Sequence, residues 1–184
     1  FHGRFGMKHI LSNVFSNPAG VAFTSAGASG NAYKKQYVPT IGESVIGTVV
    51  EVNADHLVVN IGGKMCALLP KLCFEGATEH NSVCFGKGAL VHARICNITS
   101  KGAPMLSCIC DSGRGCGLGL LEGGCTFCCG TTLAQRLLRQ SHNSALKNLG
   151  RIVSFEVVVG LNGYAWVSAV SSCECARVAR CLLR

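Results

Sequence analysis

The sequence predicts a mainly β chain that ends in an α/β module. Three observations carry this. Residues 44–110 hold five short runs rich in β-branched residues with period-two alternation, separated by glycine, proline and asparagine. Residues 131–140 (TTLAQRLLRQ) switch to a helical period. Two further strand-like runs then flank a Gly-Leu-Asn-Gly turn at 160–163.

The elements follow in order. Residues 1–36 are rich in Gly, Ser, Ala and Asn, and Ser25–Asn31 (SAGASGN) reads as a loop. Ile10–Phe15 and Val21–Thr24 suggest a strand pair that is too small for a domain, hence a partial N-terminal β segment. Ser44–Asn53 is the first clear strand, and Asp55–Ile61 follows a tight turn. Gly62-Gly63 turns the chain into Lys64–Leu69, which Pro70 stops. Ala89–Ile98 and Ala103–Cys110 complete five strands, which fit a small OB-type barrel over residues 37–112. The module at 113–184 opens with short strands at Gly117–Leu121 and Thr126–Cys129. In the helix Thr131–Gln140, Leu133, Leu137 and Leu138 share one face while Arg136 and Arg139 lie off it. Ile152–Val159 and Tyr164–Val170 are strands. Ser171 with Glu174 three residues on is a capping box that opens the last helix.

Composition narrows the function classes. The chain has 184 residues, enough to bury a core without disulfides. With 48% hydrophobic and 14% charged residues it is not a disordered chain. No run approaches the ~18 consecutive apolar residues of a membrane helix. Thirteen cysteines, an odd count with no signal peptide ahead of them, read as mostly free thiols in a reducing compartment. Phe1 in place of an initiating Met points to a piece of a longer chain. The net charge of +8 favours a polyanionic partner, most economically nucleic acid. That charge sits at the two ends: residues 1–40 carry four bases and no acid, and residues 113–184 carry eight bases against three acids. The stretch between has five bases against six acids.

The residues offer little catalytic chemistry. Two-metal phosphodiester hydrolysis needs clustered carboxylates. The nine acids form no DxD, DxE or ExE pair, and Asp55, Glu75, Glu79 and Asp111 fall in separate turns. Cys125-x-x-Cys128 resembles half a zinc knuckle, but a structural site needs four ligands and this run reads as a strand. Cys108-x-Cys110 and Cys173-x-Cys175 add no second knuckle. Six scattered histidines form no HExxH motif, and the glycine run 113–124 lacks the Lys-Ser/Thr ending of a phosphate loop. The expectation is a protein that is not an enzyme, with no catalytic residue, no metal and no cofactor.

Several motifs occur together in a fixed order. They are Lys35–Gly47 (KQYVPTIGESVIG), Phe74–Thr78 (FEGAT), Asp111–Arg114 with Gly117-Leu118-Gly119, and Gly160–Gly163 (GLNG) followed by Trp166-Val167. The set resembles the S1/KH cap subunits of the RNA exosome, from about Lys34 to the C-terminus. That resemblance implies an S1-type OB-fold barrel followed by a KH domain. It also implies a non-catalytic RNA-binding subunit of a hetero-oligomer. Its partners would be RNA, the exosome ring subunits and the other cap subunits, with no membrane. The work would be rRNA processing and RNA degradation in the nucleus and nucleolus, and also in the cytoplasm. A free-standing S1/KH RNA-binding protein in translation or RNA maturation is the alternative reading.

RNA contact is expected from Lys34, Lys35, Lys64, Lys71, Arg94, Lys101 and Arg114, with Arg136, Arg139 and Lys147 available to RNA or a neighbouring subunit. Stacking is poorly supplied. Tyr37, Phe74 and Phe85 are the barrel aromatics, and Val49, Leu57 and Val59 stand where stronger S1 binders carry aromatics. An RNA-binding KH domain clamps the backbone with a GxxG loop between helices. Here the glycine turn lies between two strands. In the family this chain resembles, the turn packs the KH domain against the barrel, so the resemblance implies that Gly160, Asn162 and Gly163 are structural, with Trp166 packed at the same junction.

Overall fold

The computed structural model describes residues 36–78, 86–110, 113–139, 148 and 150–183. The expected N-terminal strand pair, Lys34, Lys35, Phe85, Asp111 and Lys147 lie outside the described residues.

Five strands close a barrel: β1 (Ser44–Val52), β2 (His56–Asn60), β3 (Ala67–Pro70), β4 (Leu90–Ile98) and β5 (Pro104–Ser107). Their order is β1-β2-β3-β5-β4, and β4 returns to pair with β1. All pairings are antiparallel except β3 with β5. The period-two alternation explains the closure. Val45, Val49, Leu57, Val59, Leu69, Val91, Ala93, Ile95 and Leu106 all point inward and are at most 1% exposed. Each valine, leucine or isoleucine among them contributes about 1.5–3 kcal/mol when removed from water. Register shifts at Val49/Glu51 and at Ile95/Asn97 bend β1 and β4 around the barrel.

The run expected as the tail's first strand belongs instead to the barrel's sheet. This strand, β6 (Gly119–Leu121), pairs antiparallel with β4, Leu90 opposite Leu121 and His92 opposite Gly119. β5 already occupies the far half of β4, from Arg94 to Ile98, so β5 and β6 lie end to end along one edge. Alternation marks a strand but does not say which neighbour it will find.

The second module is a three-stranded antiparallel sheet, β7 (Cys125–Cys128), β8 (Phe155–Val159) and β9 (Tyr164–Ala169), with β9 central. Helices α1 (Thr131–Arg139) and α2 (Ser172–Leu182) pack on it. Phe127, Val157, Val159, Trp166, Val178 and Leu182 form its core. On α1, Ala134 and Leu137 are buried and Leu133 packs half-buried on the same core, while Leu138 turns out to solvent, so of the expected face only Leu138 departs. The Ser171 hydroxyl accepts the Glu174 backbone N–H at 3.3 Å, the N-cap half of the expected capping box.

Cysteines divide by position. Cys110 and Cys116 are joined in a disulfide, and the other described cysteines form no disulfide. Cys125 is buried and Cys128 exposed, because positions three apart on a strand face opposite ways. Among the described residues no three His, Cys, Asp or Glu side chains converge as a metal site.

Candidate nucleic-acid interface

Barrel and second module meet at the outer side of β1. Val45 and Val49 point into the barrel, so Ile46 between them points out, where it is buried in the core of the second module. The Gly160–Gly163 turn between β8 and β9 docks on this same residue. Asn162 is 5% exposed. Its Oδ1 accepts the Ile46 N–H at 3.2 Å, and its Nδ2 donates to the Ile46 carbonyl at 2.7 Å and to the Ile61 carbonyl at 2.9 Å. The Leu161 N–H adds a bond to the Ser44 carbonyl at 2.8 Å.

The glycines on either side are required by contact. A Cβ on Gly160 would lie 2.7 Å from the Ile46 nitrogen and collide with Asn162 Oδ1. Gly163 has φ +80°, and its Cβ would lie 2.8 Å from the Thr131 nitrogen at the start of α1. The Trp166 indole donates to the Gly123 carbonyl at 2.7 Å, tying β9 to the link after β6. Tyr164 packs its ring against Gly62 of the barrel, where a Cβ would sit 2.9 Å away.

The expected cations separate into two groups. Lys64 lies in the turn before β3 and Lys101 in the β4–β5 hairpin, both exposed. These segments touch, since a Cβ on Gly102 would lie 3.8 Å from Met65 Sδ. They share the end of the barrel where the Ile61 carbonyl receives Asn162. Lys71 and Arg114 occupy the other end. The Lys71 N–H bonds the Asp55 carbonyl, and the Gly115 N–H reaches Glu75 of the FEGAT loop at 3.0 Å. Arg94 is half-buried at the middle of β4, opposite Ser44 and Ser107.

The described barrel aromatics, Tyr37 and Phe74, are spent on packing. Tyr37 and Phe74 are 8% and 5% exposed. Tyr37 donates its phenol to the Glu43 carboxylate. Burial first, and then that bond and the carboxylate charge, raise its pKa well above the usual phenol value. Val49, Leu57 and Val59, the apolar positions where stronger S1 binders carry aromatics, are in the barrel core. Burial likewise pushes the Cys108 and Cys129 thiols up to about 12, so both stay protonated and unreactive at neutral pH. Sequence reasoning passed over Tyr164, whose position opposite Gly62 has no signature in the one-dimensional pattern.

The comparisons with known proteins agree with this architecture. The family "Exosome complex component RRP40, S1 domain" matches residues 37–119, and a KH-domain family matches residues 124–172. The chain is 32% identical over 150 residues to the exosome complex component RRP40 of Drosophila melanogaster, covering 82% of this chain and 64% of that protein. It is 34% identical over 151 residues to that of Mus musculus, covering 78% and 54%. It is 32% identical over 135 residues to that of Saccharomyces cerevisiae, covering 72% and 56%. The chain thus spans little more than half the length of most of these relatives. A crystal structure of a protein assigned as an exosome complex RNA-binding protein shares the fold, with a TM-score of 0.59 at 20% identity over 74% of this chain and 78% of that one. Residues 37–119 are thus an S1 domain of the exosome RRP40 type and residues 124–172 a KH domain, clamped together through Gly160 and Asn162 in a chain similar to the RRP40 components.

Proposed function

We propose that this chain works as a non-catalytic, RNA-binding cap subunit of an RNA exosome. It bridges ring subunits and guides RNA toward the central channel, where a separate nuclease processes or degrades it from the 3′ end. Its partners in this reading are RNA, ring subunits and other cap subunits, in the nucleus and nucleolus and also in the cytoplasm. The observation that carries the reading is the clamp at Asn162, which fixes two RNA-binding folds as one body. A spacer between ring and RNA needs that rigidity. The relatives named as exosome components support the assignment. So does the basic rim of Lys64 and Lys101, which suits phosphate contact without base stacking.

Affinity purification of the tagged chain from its native cells tests this. Ring subunits should follow in stoichiometric amounts, and the purified chain should lack nuclease activity. A chain that migrates alone, yet binds single-stranded RNA tightly, would support the free-standing RNA-binding reading instead.

A further inference from the structure

A cleft of about 970 Å³ runs along the seam, between the barrel end that carries Lys64 and the start of α1. Its walls include Tyr37 and Gly62 from the barrel, and Thr131, Thr132, Arg136 and Tyr164 from the KH module. We propose that this cleft holds one nucleotide step of a single-stranded RNA, its phosphate against Arg136 and its base or ribose against Tyr164. This deepens the functional reading above and rests on it.

Charge argues for an anionic occupant. Arg136 is exposed, and among the described residues it is the sole charged side chain lining the cleft, with no described carboxylate in its walls. Glu43, the acid that receives the Tyr37 phenol, is not part of the lining. Cys129 lines the floor as a neutral thiol bonded to the Gly163 carbonyl at 3.3 Å, so it adds no negative charge. The first turn of α1 contains no acid, which leaves the partial positive charge of that helix end uncancelled. Lys64, two residues beyond Gly62, extends the positive strip onto the barrel rim.

Shape argues for a nucleotide rather than a bare ion. The space far exceeds a phosphate, and Tyr164 gives it an aromatic wall, whereas the described barrel aromatics Tyr37 and Phe74 are buried. Thr131 and Thr132 offer hydroxyls suited to phosphate or ribose oxygens. Two modules that could slide would not keep such a cleft, and the Asn162 clamp prevents sliding.

The test uses the full chain and its assembled complex with a 4-thiouridine oligoribonucleotide, photo-crosslinked and mapped by mass spectrometry. Adducts are expected in the peptides containing Thr131–Arg136 and Tyr164. In equilibrium binding, Arg136→Gln should lower the salt-dependence slope by about 1. Tyr164→Leu should weaken binding by roughly tenfold, with its folded state checked by thermal denaturation. Arg136 is exposed, so its variant stays folded. Adducts confined to the Lys64–Lys101 rim, with both variants binding like the parent, would overturn the cleft and leave the cap reading standing. Absence of any RNA adduct on this chain in the complex would overturn both.

Discussion

Asn162 holds both backbone groups of Ile46, a residue 116 positions earlier in the chain. The Ile46 side chain meanwhile is buried in the module that Asn162 belongs to. A single residue of β1 is thus gripped twice, by its backbone and by its side chain. Both grips come from across the domain boundary.

Replacing Asn162 with Leu should break this junction. Three buried backbone groups would lose their partner, and each unpaired group costs about 1–3 kcal/mol. The expected loss is about 3 kcal/mol or more, read from urea denaturation. Trp166 is the single tryptophan and lies in the KH core, so its fluorescence follows that module while far-UV circular dichroism follows both. The two signals should coincide in the parent and separate in the variant.

Gly160→Ala and Gly163→Ala should each destabilise for a different reason. The first drives a methyl against β1, an overpacking cost of about 1–3 kcal/mol. The second forces a side chain into a left-handed conformation, about 1–2 kcal/mol, and against the start of α1. Gly76→Ala, whose Cβ would meet nothing within 4 Å, should pay only the conformational part. Thermal melts of the three variants rank these costs.

Stability should fall on the alkaline side. Cys108 and Cys129 have thiol pKa values raised to about 12 in the fold, against an ordinary 9.0. Each binds its proton more tightly folded than unfolded, so its contribution is complete below the unfolded value and drains as pH rises toward the folded one. The slope is about 1.4 kcal/mol per pH unit for each thiol. Tyr37, raised from 10.0, adds to the loss at higher pH. Urea midpoints measured across this range should decline, and Cys108→Ala should make the decline shallower. A flat profile up to about pH 11 would contradict the burial of these thiols.

The double variant Lys64→Gln, Lys101→Gln should reduce the salt-dependence slope of RNA binding by about 2, roughly one unit per lysine. Fluorescence anisotropy at several salt concentrations measures it. The variant Lys71→Gln, at the opposite end of the barrel, should change the slope less.

Much of the architecture could be read from local pattern. Alternating valines and isoleucines marked the barrel strands, and the Ser171–Glu174 spacing marked the last helix. The Gly-Leu-Asn-Gly run between two strands indicated a tight turn, and the family resemblance implied its architectural role. What pattern could not supply was pairing between distant segments. The place of β6 beside β4, the disulfide between Cys110 and Cys116, and the separation of Lys64 from Lys71 all depend on which surfaces meet after folding. The same holds for Tyr164, which is an ordinary strand residue until Gly62 is brought against it.

The end-to-end placement of β5 and β6 along β4 bears on how the protein behaves when crowded. A half-covered strand presents unpaired N–H and C=O groups that another copy can zip onto, the first step of edge-to-edge aggregation. β5 leaves the Leu90–His92 half of β4 open, and the three residues of β6 fill it. The connection between the two modules therefore doubles as a guard strand. A chain cut just before Gly119 would keep its barrel and expose that edge, and it would be expected to self-associate through it.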